Sequence, residues 1–178
     1  MTPNPTRRSL LLGAALTTIA AAPQTAWDFT FPSIEDGTLA LADHRGKLLL
    51  VVNTASFCGY TYQYENLMKL HRAMAPKGLA VIGVPSQDFN QESADNKTIK
   101  SFCETSFDVD FPLAGLSHVR GAKAHPFYRW VKAQKGWEPS WNFSKVLIAR
   151  SGQVIACYGS NAEPDGPELS KAIGQALA

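Results

Sequence analysis

The chain has 178 residues, the length of one domain with a substantial core, and at 45% hydrophobic and 18% charged residues it is globular rather than disordered. Its formal net charge is +2, and subtracting Arg7 and Arg8, the only charges before Trp27, from 17 Lys+Arg leaves 15 against 15 Asp+Glu, so no basic field exists to hold nucleic acid or an anionic membrane. Cys58, Cys103 and Cys157 are an odd number, so no disulfide framework follows, and the absence of any C-x-x-C pair excludes a local two-cysteine redox site.

Residues 1–26 have the layout of an export leader. The pair Arg7-Arg8 is followed by an apolar run from Leu10 through Ile19 to Ala20-Ala21-Ala22, too short for a comfortable membrane span. The pattern resembles a twin-arginine signal, which implies export to the bacterial periplasm and no stable membrane association afterwards; the alternative is an ordinary secretory signal that carries two arginines. Cleavage after the alanine run or after Ala26 leaves one folded unit, residues 27–178.

Trp27, Phe29 and Phe31 alternate with polar residues and predict a strand. Asp36-Gly37 is a turn signal, and Leu39 and Leu41 predict the second arm of an opening hairpin. Leu48 to Val52 is an unbroken apolar run, as in a central strand buried on both faces. A helix is expected from near Thr61, with Leu67, Leu70 and Met74 on one side and Pro76 and Gly78 ending it. Leu79–Val84 predicts a second buried strand, parallel to the first because a helix joins them. The loop Ser86–Glu92 follows. A second helix is expected over about Asp95–Phe107, with Ile99, Phe102, Cys103 and Phe107 on one face. Phe111-Pro112-Leu113 is extended, His125-Pro126 opens a third helix ending at Gly136, and Val146–Ala149 and Val154–Tyr158 flank a turn at Ser151-Gly152. Pro167 starts a last helix carrying Leu169, Ile173 and Leu177. This order predicts an α/β thioredoxin-like fold, a central mixed sheet flanked by helices and preceded by an N-terminal β-hairpin.

Cys58 falls between the end of the central strand and the start of a helix. Free backbone N–H groups and the positive helix end gather there, an environment that favours the thiolate, the nucleophilic form. The alternative is a structural loop cysteine. In such sheets the loops after the carboxyl ends of strands share one edge, so Ser86–Glu92 is expected beside Cys58.

Four blocks in this order resemble the glutathione peroxidase family over nearly all of Trp27 to Ala178. They are Val52-Asn53-Thr54-Ala55-Ser56-Phe57-Cys58-Gly59, Val84–Glu92, Phe102-Cys103 through Phe111-Pro112, and Trp141-Asn142-Phe143-Ser144-Lys145. The resemblance implies a peroxidase acting on hydrogen peroxide or organic hydroperoxides, with catalytic residues Cys58, Gln91, Trp141 and Asn142 and no cofactor. The chemistry agrees. A thiolate attacks one peroxide oxygen, and uncharged donors steady both the sulfur anion and the departing oxygen; amide N–H groups from Gln91 and Asn142 and the indole N–H of Trp141 suit that role. The resulting sulfenic acid needs a second thiol. Cys103 is the candidate resolver by resemblance, with buried core filler as its alternative and an external thiol then doing the work. Cys157, in an apolar strand, is expected to be inert.

The match has departures. The usual Pro-Cys-Asn-Gln is Pro85-Ser86-Gln87-Asp88, and the run around Gln91 is one residue shorter. The segment before Trp141 is short, which implies a monomer and a thioredoxin-like protein rather than glutathione as the thiol reductant. A peroxiredoxin would have a T-x-x-C pattern, whereas Thr54 stands four positions before Cys58; a copper carrier of this fold would have a cysteine at Tyr62. A peroxide sensor or redox carrier without turnover remains the alternative function. His44, His71, His118 and His125 show no metal-ligand spacing.

Overall fold

The computed structural model describes residues 24–178. Most of the expected leader therefore lies outside the described residues. Ala26, expected as the last residue of the leader, is fully buried, and its N–H donates to Gly152 O at 2.9 Å. Trp27 is not in a strand, as its alternation suggests, but in a 3-10 turn over Ala26–Asp28. The Asp28 carboxylate accepts from the Thr25 N–H at 2.8 Å and closes that turn, so local capping outweighs the period-two pattern. The Trp27 ring instead covers Gly152, where a Cβ would lie 2.5 Å from the indole nitrogen and φ is +85°.

The opening hairpin consists of β1 (Thr30–Pro32) and β2 (Thr38–Ala40), antiparallel around Asp36-Gly37. The main sheet contains β3 (Leu48–Thr54), β4 (Leu79–Pro85), β5 (Lys145–Ile148) and β6 (Val154–Tyr158), in the order β4-β3-β5-β6. Strand β4 is parallel to β3, while β5 is antiparallel to both β3 and β6, so the sheet is mixed. The helices are α1 (Gln63–Met74), α2 (Asn96–Phe107), α3 (Pro126–Lys135) and α4 (Pro167–Leu177). Their ends follow the sequence signals. The Asp95 side chain caps α2, the His125 ring caps α3 next to Pro126, and Gly136 ends α3 at φ 63°.

Both faces of the sheet are covered, which explains why β3 and β4 are apolar without alternation. On one face Leu49, Val51, Ile82 and Ile148 pack with Phe29, Phe31, Phe127 and Trp130. On the other, Leu50, Val52, Val81 and Leu147 pack with Leu67, Ile99, Leu169 and Ile173. Truncating any of these to Ala costs about 2–5 kcal/mol. The topology gathers three chain segments at one edge: the stretch after β3, the stretch after β4, and the stretch entering β5 from Trp141.

Candidate active site

The segment after β3 is wound into a turn held by one hydroxyl. Thr61 Oγ1 accepts from the Cys58 N–H at 3.0 Å and donates to Ala55 O at 2.9 Å. Cys58 is thereby seated just before α1, at 8% exposure. Its sulfur accepts from the Tyr60 N–H at 3.4 Å, a backbone donor of the kind that helix starts leave free.

The segment after β4 is tied directly to this turn. The Phe57 N–H donates to Gln91 O at 3.0 Å, and the Ser56 N–H donates to Glu92 Oε1 at 3.2 Å. Glu92 is nearly buried, and burial raises its carboxyl above the usual range against the pull of its bonds to Ser56 and Ser93. The sequence alone assigns Glu92 no role. Its position next to Gln91 was the available signal, and its work is to fasten two loops together.

The segment before β5 completes the group. Asn142 is fully buried, and its Nδ2 donates to Gln91 Oε1 at 3.0 Å. With its oxygen occupied, Gln91 is left with its Nε2 hydrogens to offer elsewhere. The Trp141 ring lies 5.3 Å from that of Phe89, two residues before Gln91, and keeps 40% exposure. Phe89 is flanked in turn by the Arg120 guanidinium at 5.3 Å.

Two residues in these segments hold left-handed backbone without being glycine: Asn90 at φ 56° and Phe143 at φ 57°. Each neighbours a site residue. Asparagine tolerates this region, but a bulky ring does not, at a cost of order 1–3 kcal/mol. At Phe143 the conformation is imposed by Asn53: its carbonyl accepts from the Phe143 N–H at 2.6 Å, its N–H donates to Ser144 O at 3.2 Å, and its Nδ2 donates to Trp141 O at 3.1 Å. The last residues of β3 thus fix the Trp141-Asn142 turn.

The structure brings the segments carrying Cys58, Gln91 and Asn142 into one hydrogen-bonded group, with Trp141 packed on its rim. Cys103 is placed differently. It faces inward from α2, fully buried in the same apolar cluster as Cys58, with its thiol donating to the Tyr64 hydroxyl at 3.4 Å. Burial pushes this thiol up to about 11, against the Tyr64 hydrogen bond. Cys157, on β6, is likewise pushed up to about 11 by burial. Among the described residues no cluster of His, Cys, Asp or Glu is arranged to hold a metal ion, and no helix is long and apolar enough to cross a membrane.

Comparison with known proteins gives one consistent result. Residues 26–132 match the family model described as glutathione peroxidase. The hydroperoxy fatty acid reductase gpx1 of Synechocystis sp. is 40% identical over 157 residues, covering 82% of this chain and 93% of that protein. A glutathione peroxidase of Lactococcus lactis subsp. cremoris is 37% identical over 147 residues, covering 80% of this chain and 94% of that one. The crystal structure of Trgpx in apo form superposes with a TM-score of 0.69 at 33% identity, covering 87% of this chain and 97% of that chain.

Proposed function

The chain belongs to the glutathione peroxidase family, and from that premise we propose that Cys58 is the nucleophile of this thiol peroxidase. The observation that carries the assignment is the joining of the Cys58 turn, Gln91 and Asn142 by the bonds Phe57 N–H to Gln91 O and Asn142 Nδ2 to Gln91 Oε1. The Cys58 thiolate attacks one oxygen of the hydroperoxide. An S–O bond forms, the O–O bond breaks, and the departing oxygen takes a proton to leave as water or an alcohol. Gln91 Nε2, the Trp141 indole N–H and the Tyr60 backbone N–H are the donors that steady the charges before and after transfer. Asn142 acts through Gln91, whose amide it orients.

Cys58 is left as a sulfenic acid. The Cys103 thiolate then attacks the Cys58 sulfur, an S–S bond forms, and hydroxide leaves and is protonated to water. Because Cys103 is sealed inside α2, this step requires local opening of that helix. A thioredoxin-like dithiol, in preference to glutathione, then reduces the disulfide. Phe57, Tyr62 and Trp141, exposed at 67%, 49% and 40%, give the site an apolar rim suited to the chain of an organic hydroperoxide; the Synechocystis relative carries the name of a hydroperoxy fatty acid reductase. We place the enzyme in the periplasm as a monomer. Cleavage in the Ala20-Ala21-Ala22 run fits best, since Ala26 is packed into the fold.

The test is peroxide consumption by the Cys58→Ser variant with alternative thiol donors. Loss of activity by roughly three orders of magnitude or more is expected. Retained turnover refutes the assignment, and faster turnover with glutathione than with a thioredoxin-like donor refutes the choice of reductant.

A further inference from the structure

Lys145 opens β5 and is fully buried. Its strand register sets it opposite Val52 on β3 and Tyr158 on β6, on the face where α1 and α4 pack. No carboxylate bonds it directly. Its Nζ donates to Gln63 Oε1 at 2.6 Å, and Gln63, the first residue of α1, is also fully buried. Gln63 Nε2 donates to Ser160 O at 2.8 Å and to Glu163 Oε1 at 3.2 Å. Ser160 Oγ donates to Asn142 O at 2.5 Å, and Asn142 Nδ2 reaches Gln91 Oε1 at 3.0 Å. One chain of hydrogen bonds therefore runs from a buried ammonium, across the start of α1 and the loop after β6, to the side-chain amide of Gln91, whose backbone carbonyl accepts from Phe57 beside Cys58.

A buried cation is costly, and an apolar residue of similar length is often the more stable choice at such a place. The apolar cluster on this face holds no other charged side chain, so packing alone gives no reason for the amine. We propose that Lys145 is a positioning residue for peroxide reduction, whose protonated amine locks Gln63 and Ser160 and thereby fixes Asn142 and the Gln91 amide at Cys58. The inference rests on the assignment of Cys58, Gln91 and Asn142 above.

The surrounding groups set the pH at which the lock loosens. Burial lowers the Lys145 amine to about 8, and Glu163, which faces it through Gln63, works in the opposite direction. Just before α1, Tyr62 donates to the same Glu163 oxygen; from β6, Tyr158 stands opposite; and from α4, Glu168 lies near Tyr158. The two tyrosines are held above their ordinary range, so they stay neutral while Lys145 loses its proton. The charge on Lys145 is full below that value and lost above it. The lock therefore produces a decline in rate on the alkaline side, opposite in sign to the rise that ionisation of a nucleophilic thiol produces.

The experiment compares the pH dependence of kcat/KM for peroxide in the wild type and in Lys145→Met. The wild type is expected to decline above about pH 8, and Lys145→Met to be roughly ten-fold slower at pH 7 with that decline absent. Wild-type rate and an unchanged profile in folded Lys145→Met overturn the proposal. The wild type provides a reading that needs no folded variant: the side-chain amide resonances of Asn142 should shift with the titration of the Lys145 amine, and their constancy through that range overturns the proposal as well. Cys58→Ser separates the two levels. If it keeps its activity, the assignment of the nucleophile fails; if it is dead while Lys145→Met behaves as wild type, only the lock fails.

Discussion

The Phe57 and Phe102 rings pack against each other with centroids 6.3 Å apart at 47°. Each precedes a cysteine, so the turn bearing Cys58 and the middle of α2 are neighbours. The Cys103 thiol itself turns to Tyr64, donating to its hydroxyl at 3.4 Å. What holds α2 shut is mainly apolar, Ile99 and Cys103 being fully buried. The ion pairs of Lys100 with Glu35 at 2.9 Å and Glu104 at 3.0 Å are solvent-exposed, and such pairs contribute little.

Formation of the Cys58–Cys103 disulfide should accelerate with pH. With the Cys103 thiol at about 11, its thiolate fraction rises about ten-fold per pH unit through the neutral and mildly alkaline range. Rapid mixing with peroxide followed by acid quench and mass analysis measures this. A pH-independent rate would show that helix opening, not ionisation, limits the step, and no disulfide at all would remove Cys103 from the cycle. Cys103→Ser should abolish the disulfide and thioredoxin-driven turnover while leaving the first reduction of peroxide intact.

Gln91→Ala and Asn142→Ala should each lower kcat/KM for peroxide by about 10–1000-fold, the range for losing one oriented donor. Because Asn142 works through Gln91, the double variant should be scarcely worse than the poorer single one. Additive losses in that cycle would mean that the two amides act independently.

The parts of this architecture set by local chemistry are legible in the residues. Leu48 to Val52 reads as a doubly buried strand, and His125-Pro126 and Gly136 bracket α3. The Cys58 turn is legible because Cys58 follows a strand and precedes a helix. Other features are not, because their causes lie far away in the chain. Phe143 adopts a left-handed backbone because Asn53 dictates it across the sheet edge. Lys145 looks like a polar residue ahead of a strand, yet pairing with Val52 and Tyr158 draws it into the core. Trp27 follows an alternating pattern that suits a strand equally well, and the bond between Thr25 and Asp28 decides for a turn.

Phe57→Ser should raise KM for a long-chain hydroperoxide several-fold and leave hydrogen peroxide kinetics nearly unchanged. The ring is 67% exposed and forms part of the proposed apolar rim. A hydrophobic contact of this kind discriminates by about 1–3 kcal/mol at most. An equal effect on both substrates would point to a role in holding the turn rather than in binding.

Lys145→Met should be more stable than the wild type at pH 7 despite its lower activity. The amine titrates near 8 in the fold against an ordinary 10.5. Its cost to the folded state, about 3 kcal/mol, is complete below pH 8 and fades between there and pH 10.5. Leaving Gln63 Oε1 without its donor returns ~1–3 kcal/mol of that gain. A rise in Tm of about 2–4 °C at pH 7, shrinking towards pH 10, is the expected result in a thermal melt. A lower Tm at neutral pH would mean that the amine contributes to stability in its own right.

With Cys103 as the proposed resolver, burying the second sulfur beneath α2 would set how large an oxidant pulse a single molecule survives. While peroxide arrives slowly, the helix would have time to open between encounters, and the sulfenic acid would be retired as the proposed disulfide. In a burst, a second peroxide reaches Cys58 first and drives it to the sulfinic state, from which thiols do not return it. A looser α2 would endure heavier doses but leave its reserve thiol open to stray oxidation, so the packing around Ile99 and Tyr64 balances endurance against fidelity.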